Sequence, residues 1–479
     1  MRALVWFRAD LRVEDNPALL HACREADRGV VGVFLLAHAQ YRDHDWGAAK
    51  VDFVRRSVAG LRDALERLSV PLLVRDAPHF RDAPAALLAV ARSLECDVLA
   101  FNEEYEVNER LRDEAVVRVM SDAGIRCAAF PDQCVVPPGA LRTRDGGYYS
   151  VYTPFRAAWL AQLEREGPPA PLPAPVPQPE LVCRPDAPPG ELHGFAPPLR
   201  VAELWPAGED EARRRLARFV SERIGRYAER RDLPGVEGTS RLSPYLAVGA
   251  ISARRCLAAC AEAAGGLVPL SAIDSGPAAW ASELIWREFY RHVMVGFPRV
   301  SMGRAFRLPT ERVAWRFDGD HFAAWCEGRT GYPLVDAGMR ELAATGWMHN
   351  RTRMVVAMFL TKHLLIDWRR GERVFMHSLV DADLANNNGG WQWAASTGTD
   401  AVPYFRIFNP SSQSRRFDPD GTYLRRWVPE LAALPVAAIH DPSTLTPLER
   451  AAVGYPPPIV DHARARERAI AAFAAVRAG

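Results

Sequence analysis

Apolar residues keep one period up to about residue 130 of this 479-residue chain and another beyond about residue 200, which confines the fold more than any single motif. Five short apolar runs at 2–7 (RALVWF), 30–36 (VVGVFLL), 71–74 (PLLV), 97–101 (DVLAF) and 125–130 (IRCAAF) alternate with helical patterns such as Val51 to Leu68. That alternation predicts a doubly wound parallel α/β sheet. From Val201 the spacing is helical at 211–231, 243–262, 278–297, 320–327, 333–345, 347–368, 371–380 and 461–477, so an all-α domain is expected there. Between them, VYTPFRAAWLAQLERE reads as a helix and PPAPLPAPVPQPE as an extended proline-rich spacer. The expected organisation is an α/β domain over 1–131, a linker over 132–200 and a helical domain over 201–479.

The N-terminal run MRALVWFRAD is broken by Arg8 and Asp10, which fits neither a signal peptide nor a membrane anchor, so a cytoplasmic bacterial-type enzyme is expected. Eight scattered cysteines complete no zinc pattern and read as reduced structural thiols; no metal is expected. A net charge of only +2 leaves any nucleic-acid role to local clusters of arginine. The first βα turn, FRADLRVEDNP, has no glycine, so the phosphate fingerprint of dinucleotide domains is missing. Two stretches of this domain invite a ligand, YRDHDW with His44 and YEVNER with Asn108 and Glu109, although local sequence by itself favours a solvated loop and a helix cap.

Ten of the thirteen tryptophans lie at or beyond Trp205. The stretch 381–409, DADLANNNGGWQWAASTGTDAVPYFRIFN, carries three consecutive asparagines, paired glycines and two indoles where a core helix would carry an apolar stripe. Trp391 and Trp393 would share a face on a strand and diverge on a helix. By itself the stretch fits either a site or a tryptophan-rich core helix. In EGTSRLSPYLAVG, Ser243 is the expected N-cap with Pro244 at the first helical position, a helix start suited to an anion. AAWASELIWREFYRHVMVGF sets Trp280, Glu283 and Arg287 on one face with Trp286 at its edge, which also fits a surface Glu283–Arg287 pair over packed tryptophans. GWMHNRTRMVVAMFLTKHLLIDWR puts Asn350, Arg353 and Met354 on one face, an amide and a thioether suited to a flat heterocycle.

TSRLSPYLAVG, ELIWREFYRH, GYPLVDAGMREL, GWMHNRTRM, LIDWRRGE and the 381–409 stretch occur in this order, and the likeness runs from WFRADLR to YPPPIVDH. The chain resembles the photolyase/cryptochrome family, most closely its class I cyclobutane pyrimidine dimer photolyases. The resemblance implies an antenna domain joined to a helical domain that holds a folded FAD, active as FADH⁻. Tyr227, Thr239, Ser240, Arg241, Leu242 and Ser243 would hold its phosphates. Trp280, Arg353, Asp381, Asp383 and Asn387 would surround the flavin, with Arg353 paired to Asp381 and Asn387 near N5. Asn386 departs from an alanine common among relatives.

The same resemblance gives Glu283, Asn350, Met354, Trp286 and Trp393 to a pocket for the flipped dimer, and Arg231, Arg287, Asn350, Arg351, Arg406 and Gln413 to DNA contacts. Trp391, Trp368 and Trp315 would relay electrons from the surface to the flavin. His44, Asn108 and Glu109 match an antenna site for 5,10-methenyltetrahydrofolate; Ser301 and Met302 depart from that pattern, which keeps a deazaflavin or an empty site open. The implied substrate is DNA containing cyclobutane dimers, handled by a monomer without membrane or obligatory protein partner. The rival reading is a cryptochrome that senses blue light and signals through a partner; the retained Trp286, Trp393 and Glu283, and an end at Gly479 just after the last expected helix, favour repair. A (6-4) enzyme would want a pocket histidine pair where Asn350 follows His349, and the DASH type a tyrosine at Trp393.

Overall fold

The computed structural model describes residues 1–196, 200–265 and 274–477; residues 197–199 of the expected linker and the C-terminal pair 478–479 lie outside the described residues. Five parallel strands, β1 (Ala3–Phe7), β2 (Val30–Leu36), β3 (Leu72–Asp76), β4 (Val98–Asn102) and β5 (Arg126–Phe130), lie in the order β3-β2-β1-β4-β5. β1 is buried along its whole length because helices cover both faces of the sheet, which is why these runs are apolar without alternation. Register is set by Ala3 opposite Val30 on one side and Val98 on the other.

The strand order reverses between β1 and β4, the crevice where such sheets usually take a ligand. Here side chains fill it. Asn102 donates to Asp10 at 2.6 Å and to Asn16 at 2.9 Å, and accepts from the Ala18 N–H at 3.1 Å. Asn16 also caps the helix Pro17–Glu25, so the glycine-free turn is a closed network with no cradle for phosphate.

Two compact units result: Met1–Gly225 with Ser240–Pro298 and Val380–Asp383, and Arg226–Thr239 with Arg299–Leu379 and Leu384–Gly479. The helices expected together in one second domain are thus divided. In the first unit, buried Arg254 bonds Asp15 at 3.0 Å and Asp132 at 2.7 Å, and Arg12 bonds Asp132 at 2.5 Å, which ties the helix Ala253–Ala263 to the sheet. Lys50 reaches the Ala382 carbonyl at 2.6 Å and holds the short 380–383 segment in this unit.

Several helices begin or end where periodicity alone did not place them. The expected 243–262 helix is two, Ser243–Ala247 and Ala253–Ala263, because Gly249 takes φ +66° where any Cβ would collide with the Ala9 backbone. Ser243 is not the N-cap: Leu242 is, without a side-chain bond, since the chain enters through a left-handed Arg241 at φ +52°. The expected 211–231 helix ends at Glu222 and resumes as the single turn Tyr227–Arg230. In the second unit the expected 347–368 helix runs only over Asn350–Met358, then opens into a π turn at Phe359–His363 and ends at left-handed Leu365. Lys362 explains the opening, because the wider turn aims its buried amino group at the Ala395 carbonyl (3.1 Å) and Ser396 Oγ (2.8 Å). Among the described residues no helix is long and apolar enough to cross a membrane.

Candidate functional site

In the second unit the stretch opened by Leu384 is a helix, Leu384–Ala395, so the two indoles diverge. Trp391 is buried edge-on to Phe375 (5.0 Å) and Trp325 (6.0 Å), whereas Trp393 reaches a cavity. Among the described residues the buried Trp391 Nε1 finds no hydrogen-bond partner. The asparagines serve different ends. Asn387 donates through Nδ2 to the Glu372 carbonyl at 2.9 Å; a carbonyl only accepts, so the amide orientation is fixed and Oδ1 is left as an acceptor. Asn388 donates to the Glu372 carboxylate at 2.9 Å and accepts from Gln392 at 2.8 Å, locking the helix face.

The cavity at Trp393 has a volume of about 440 Å³ and is lined by Met354, Arg351, Arg406, Gln413, Arg416 and Phe417 among others. Four residues assigned to substrate or DNA by sequence thus meet Trp393 in one place. Asn350 opens the helix that carries Met354 one turn later, so both share its face. Arg351 is not a loose cation: it bonds Asp232 at 2.9 Å and lies 4.2 Å over Phe417. Arg416, which the sequence reading missed, follows Gln413 by three on the helix Pro410–Phe417, and that spacing was the available signal. In the same unit Tyr227 is buried and Arg231 follows its turn; Arg353 Nε donates to the Met348 carbonyl at 2.8 Å.

Trp368 is buried, at 1% exposure, and begins the helix Trp368–Ser378; Trp315 is only partly covered and packs on Phe473. The three proposed relay indoles therefore pass from two fully enclosed rings to one that meets a surface cleft.

In the first unit the helix Gly276–Gly296 carries Trp280, Glu283 and Trp286, capped by Ser275. Trp286 stacks face to face on Tyr152 at 3.6 Å and 6°, and Tyr152 is held by its hydroxyl at the Ser282 carbonyl (2.9 Å). One face of Trp286 is thereby taken. Trp280 is buried against Phe219. Arg287, expected on a DNA phosphate, does not have that geometry: it turns inward to the carbonyls of Gln133 (2.5 Å) and Leu246 (3.2 Å), and burial lowers its pKa. One turn on, Arg291 pairs with Asp383, an anchor the sequence reading did not name. Of the phosphate segment, Ser240 Oγ accepts from the Leu242 N–H at 3.4 Å and Ser243 is exposed.

His44, Asn108 and Glu109 do come together in this unit. The amides of Gln40 (3.0 Å) and Asn108 (2.9 Å) both donate to His44 Nε2, so the ring is neutral with its proton on Nδ1, 3.5 Å from Glu109. Burial lowers the His44 pKa, and burial with the neighbouring Glu106 and Glu104 pushes the Glu109 carboxyl up to about 8. Nearby Lys50, brought down to about 8 by burial, lies 3.5 Å over Trp46.

Residues 3–179 match the family model described as DNA photolyase, and residues 280–475 the one described as the FAD binding domain of DNA photolyase. The chain belongs to the DNA photolyase family. A deoxyribodipyrimidine photo-lyase of Salmonella typhimurium is 44% identical over 99% of both chains. The crystal structure of a bacterial class III photolyase from Agrobacterium tumefaciens superposes with a TM-score of 0.88 at 36% identity, covering 100% of this chain and 98% of that one. A cryptochrome of Synechocystis sp. PCC6803 gives 0.85 at 29% identity, over 98% of each. The family expected from the motifs is the family found, with its α/β and helical architecture.

Proposed function

We propose that this protein repairs DNA in light by splitting cyclobutane pyrimidine dimers back to monomers. The carrying observation is the helix Leu384–Ala395, which fixes Asn387, encloses Trp391 and turns Trp393 into a cavity rimmed with arginines. FAD in its reduced form would supply the light-driven electron, the chemistry belonging to the cofactor and its tuning to the protein. Asn387 fits that group: its pinned amide leaves Oδ1 to accept from a ring N–H. Asp383, fixed by Arg291, together with Asp381, Arg353 and Trp280 would orient the flavin, and Tyr227 with Thr239 to Ser243 would hold its phosphates.

The residues themselves bind, hold and exclude. A dimer stacks poorly in duplex, so extruding it costs less than extruding intact bases. Trp393 and Met354, with Trp286, offer flat and soft surfaces to its rings, while Glu283 and Asn350 hydrogen-bond its polar edges. Arg406, Arg416 and Gln413 would take flanking phosphates, which position the strand without reading sequence. Trp391, Trp368 and Trp315 would return electrons to an oxidised flavin. His44, Asn108 and Glu109 would take an antenna pigment, methenyltetrahydrofolate first and a deazaflavin second. The protein would act as a cytoplasmic monomer without an obligatory partner.

Its likeness to a cryptochrome keeps a light-sensing reading as the rival. Light and dark incubation with an oligonucleotide carrying one defined dimer, using protein whose chromophores are identified by absorbance and mass, decides between them. Reversal only in light supports repair; binding without reversal by fully reduced protein overturns it.

A further inference from the structure

A second cleft of the second unit, with a volume of about 330 Å³, lies at Trp315 and is lined also by Phe317, Asp367, Arg316, Arg369, Arg370 and Arg373. Four arginines face one aspartate there. Arg369 is committed to Asp367 (3.2 Å) and Glu311 (2.7 Å), and Arg316 to Asp318 (3.2 Å). Arg370 differs: its guanidinium is held flat by rings, 3.9 Å over Phe322 and 5.0 Å over Phe317, and among the described residues its buried Nη1 has no hydrogen-bond partner. Phe317 itself is 90% exposed, an apolar plate beside a cation. Arg373 is exposed at the rim.

We propose that this cleft docks a small, flat, anionic one-electron donor of the enediolate class, and that Trp315 is the residue it reduces. The inference rests on the relay proposed above. An aromatic plate receives a flat donor, Arg370 in the cleft wall supplies positive charge for its anionic oxygen, and the partly covered indole lies within the same cavity. When light has drawn an electron inward from Trp315, the indole is a radical cation. The docked enediol monoanion passes it one electron and releases its remaining hydroxyl proton to solvent, leaving a donor radical anion and closed-shell Trp315. Positive walls of a cleft raise the local concentration of such an anion, by about 10- to 1,000-fold in favourable cases.

Ascorbate is the probe, with neutral hydroquinone as control. Flash excitation of the holoprotein with oxidised flavin, followed at the tryptophan radical, gives a second-order rate constant for each donor. For Arg370→Gln/Arg373→Gln the ascorbate constant should fall about tenfold or more while the hydroquinone constant stays within about twofold, and Arg370→Lys should recover part of the loss. Sulfate at high ionic strength should erase the difference, since screening shortens to about 3 Å at 1 M. Dark calorimetric titration should show ascorbate binding to native protein and its loss in the double variant. Equal ascorbate constants, equal dark binding, or a loss shared by hydroquinone overturns the site. Flavin photoreduction that survives in Trp315→Phe would instead refute the relay, and the dark titration would still judge the cleft.

Discussion

Asn387 Nδ2 donates to the main-chain oxygen of Glu372 at 2.9 Å, joining the helices Leu384–Ala395 and Trp368–Ser378 through an amide that can point only one way. Asparagine is used here because one end anchors while the other stays available. Asn387→Asp places a carboxylate against the Glu372 carbonyl, an acceptor facing an acceptor. The variant should bind FAD but let the reduced flavin reoxidise in air in the dark at least about tenfold faster, a barrier to reoxidation lowered by about 1.4 kcal/mol. Reoxidation at the native rate would remove Asn387 from the flavin.

Gly371 lies against Trp391 so closely that a Cβ there would collide with the indole and with Leu360. Gly371→Ala must push the ring out of its place between Phe375 and Trp325, at a cost of about 1–3 kcal/mol of stability. Photoreduction of oxidised flavin should slow markedly, whereas chemically reduced enzyme should still repair. Trp391→Phe should give the same split; equal loss of both activities in Trp391→Phe would merge relay and repair.

Strand positions and the parallel sheet were legible because buried runs, free of alternation, have no other use in an α/β pattern. Helix breaks were not: Gly249 needs its glycine only because the Ala9 backbone is close, and the π turn at Phe359–His363 depends on where Lys362 finds its acceptors. Those causes are tertiary. Likewise Met354, Arg406 and Gln413 were readable by motif, but the burial of Arg287 against two carbonyls and the service of Tyr152 to Trp286 required coordinates. Arg416 lay within reach, three residues after Gln413 on one short helix.

Tyr152 covers one face of Trp286 at 3.6 Å, so the other face is the one available to a base. Trp286→Ala should weaken binding of dimer-containing DNA about tenfold or more, the worth of about 1–3 kcal/mol for one stacked base. Tyr152→Ala should weaken it less, by releasing the indole rather than removing it. A titration in which Trp286→Ala binds the lesion like native protein would refute the pocket.

The Glu109 carboxyl, ordinarily near 4.5, is pushed up to about 8 by burial and by Glu106 and Glu104. Unfolded chain loses this proton above about pH 4.5 while the native protein keeps it to about pH 8, so the native state binds more protons in that window and stability falls as pH rises through it. Glu109→Gln keeps the neutral form at every pH. Its gain in Tm over native protein should be larger at pH 8 than at pH 5; equal gains would mean that Glu109 titrates normally.

Arg406 and Arg416 both line the Trp393 cavity and are exposed, whereas Arg351 beside them is already paired with Asp232. A paired arginine brings little new charge to a phosphate, so the two exposed ones should carry the ionic part of DNA binding. Each phosphate contact contributes about 0.9 to the slope of log K against log salt on duplex DNA. Arg406→Gln and Arg416→Gln should each lower that slope by about one and weaken dimer-containing and undamaged DNA alike, leaving the ratio between them unchanged. Arg351→Gln should change the slope less and instead loosen Phe417, against which its guanidinium rests at 4.2 Å. A slope that drops only in Arg351→Gln would reverse this division and make the paired residue the phosphate contact.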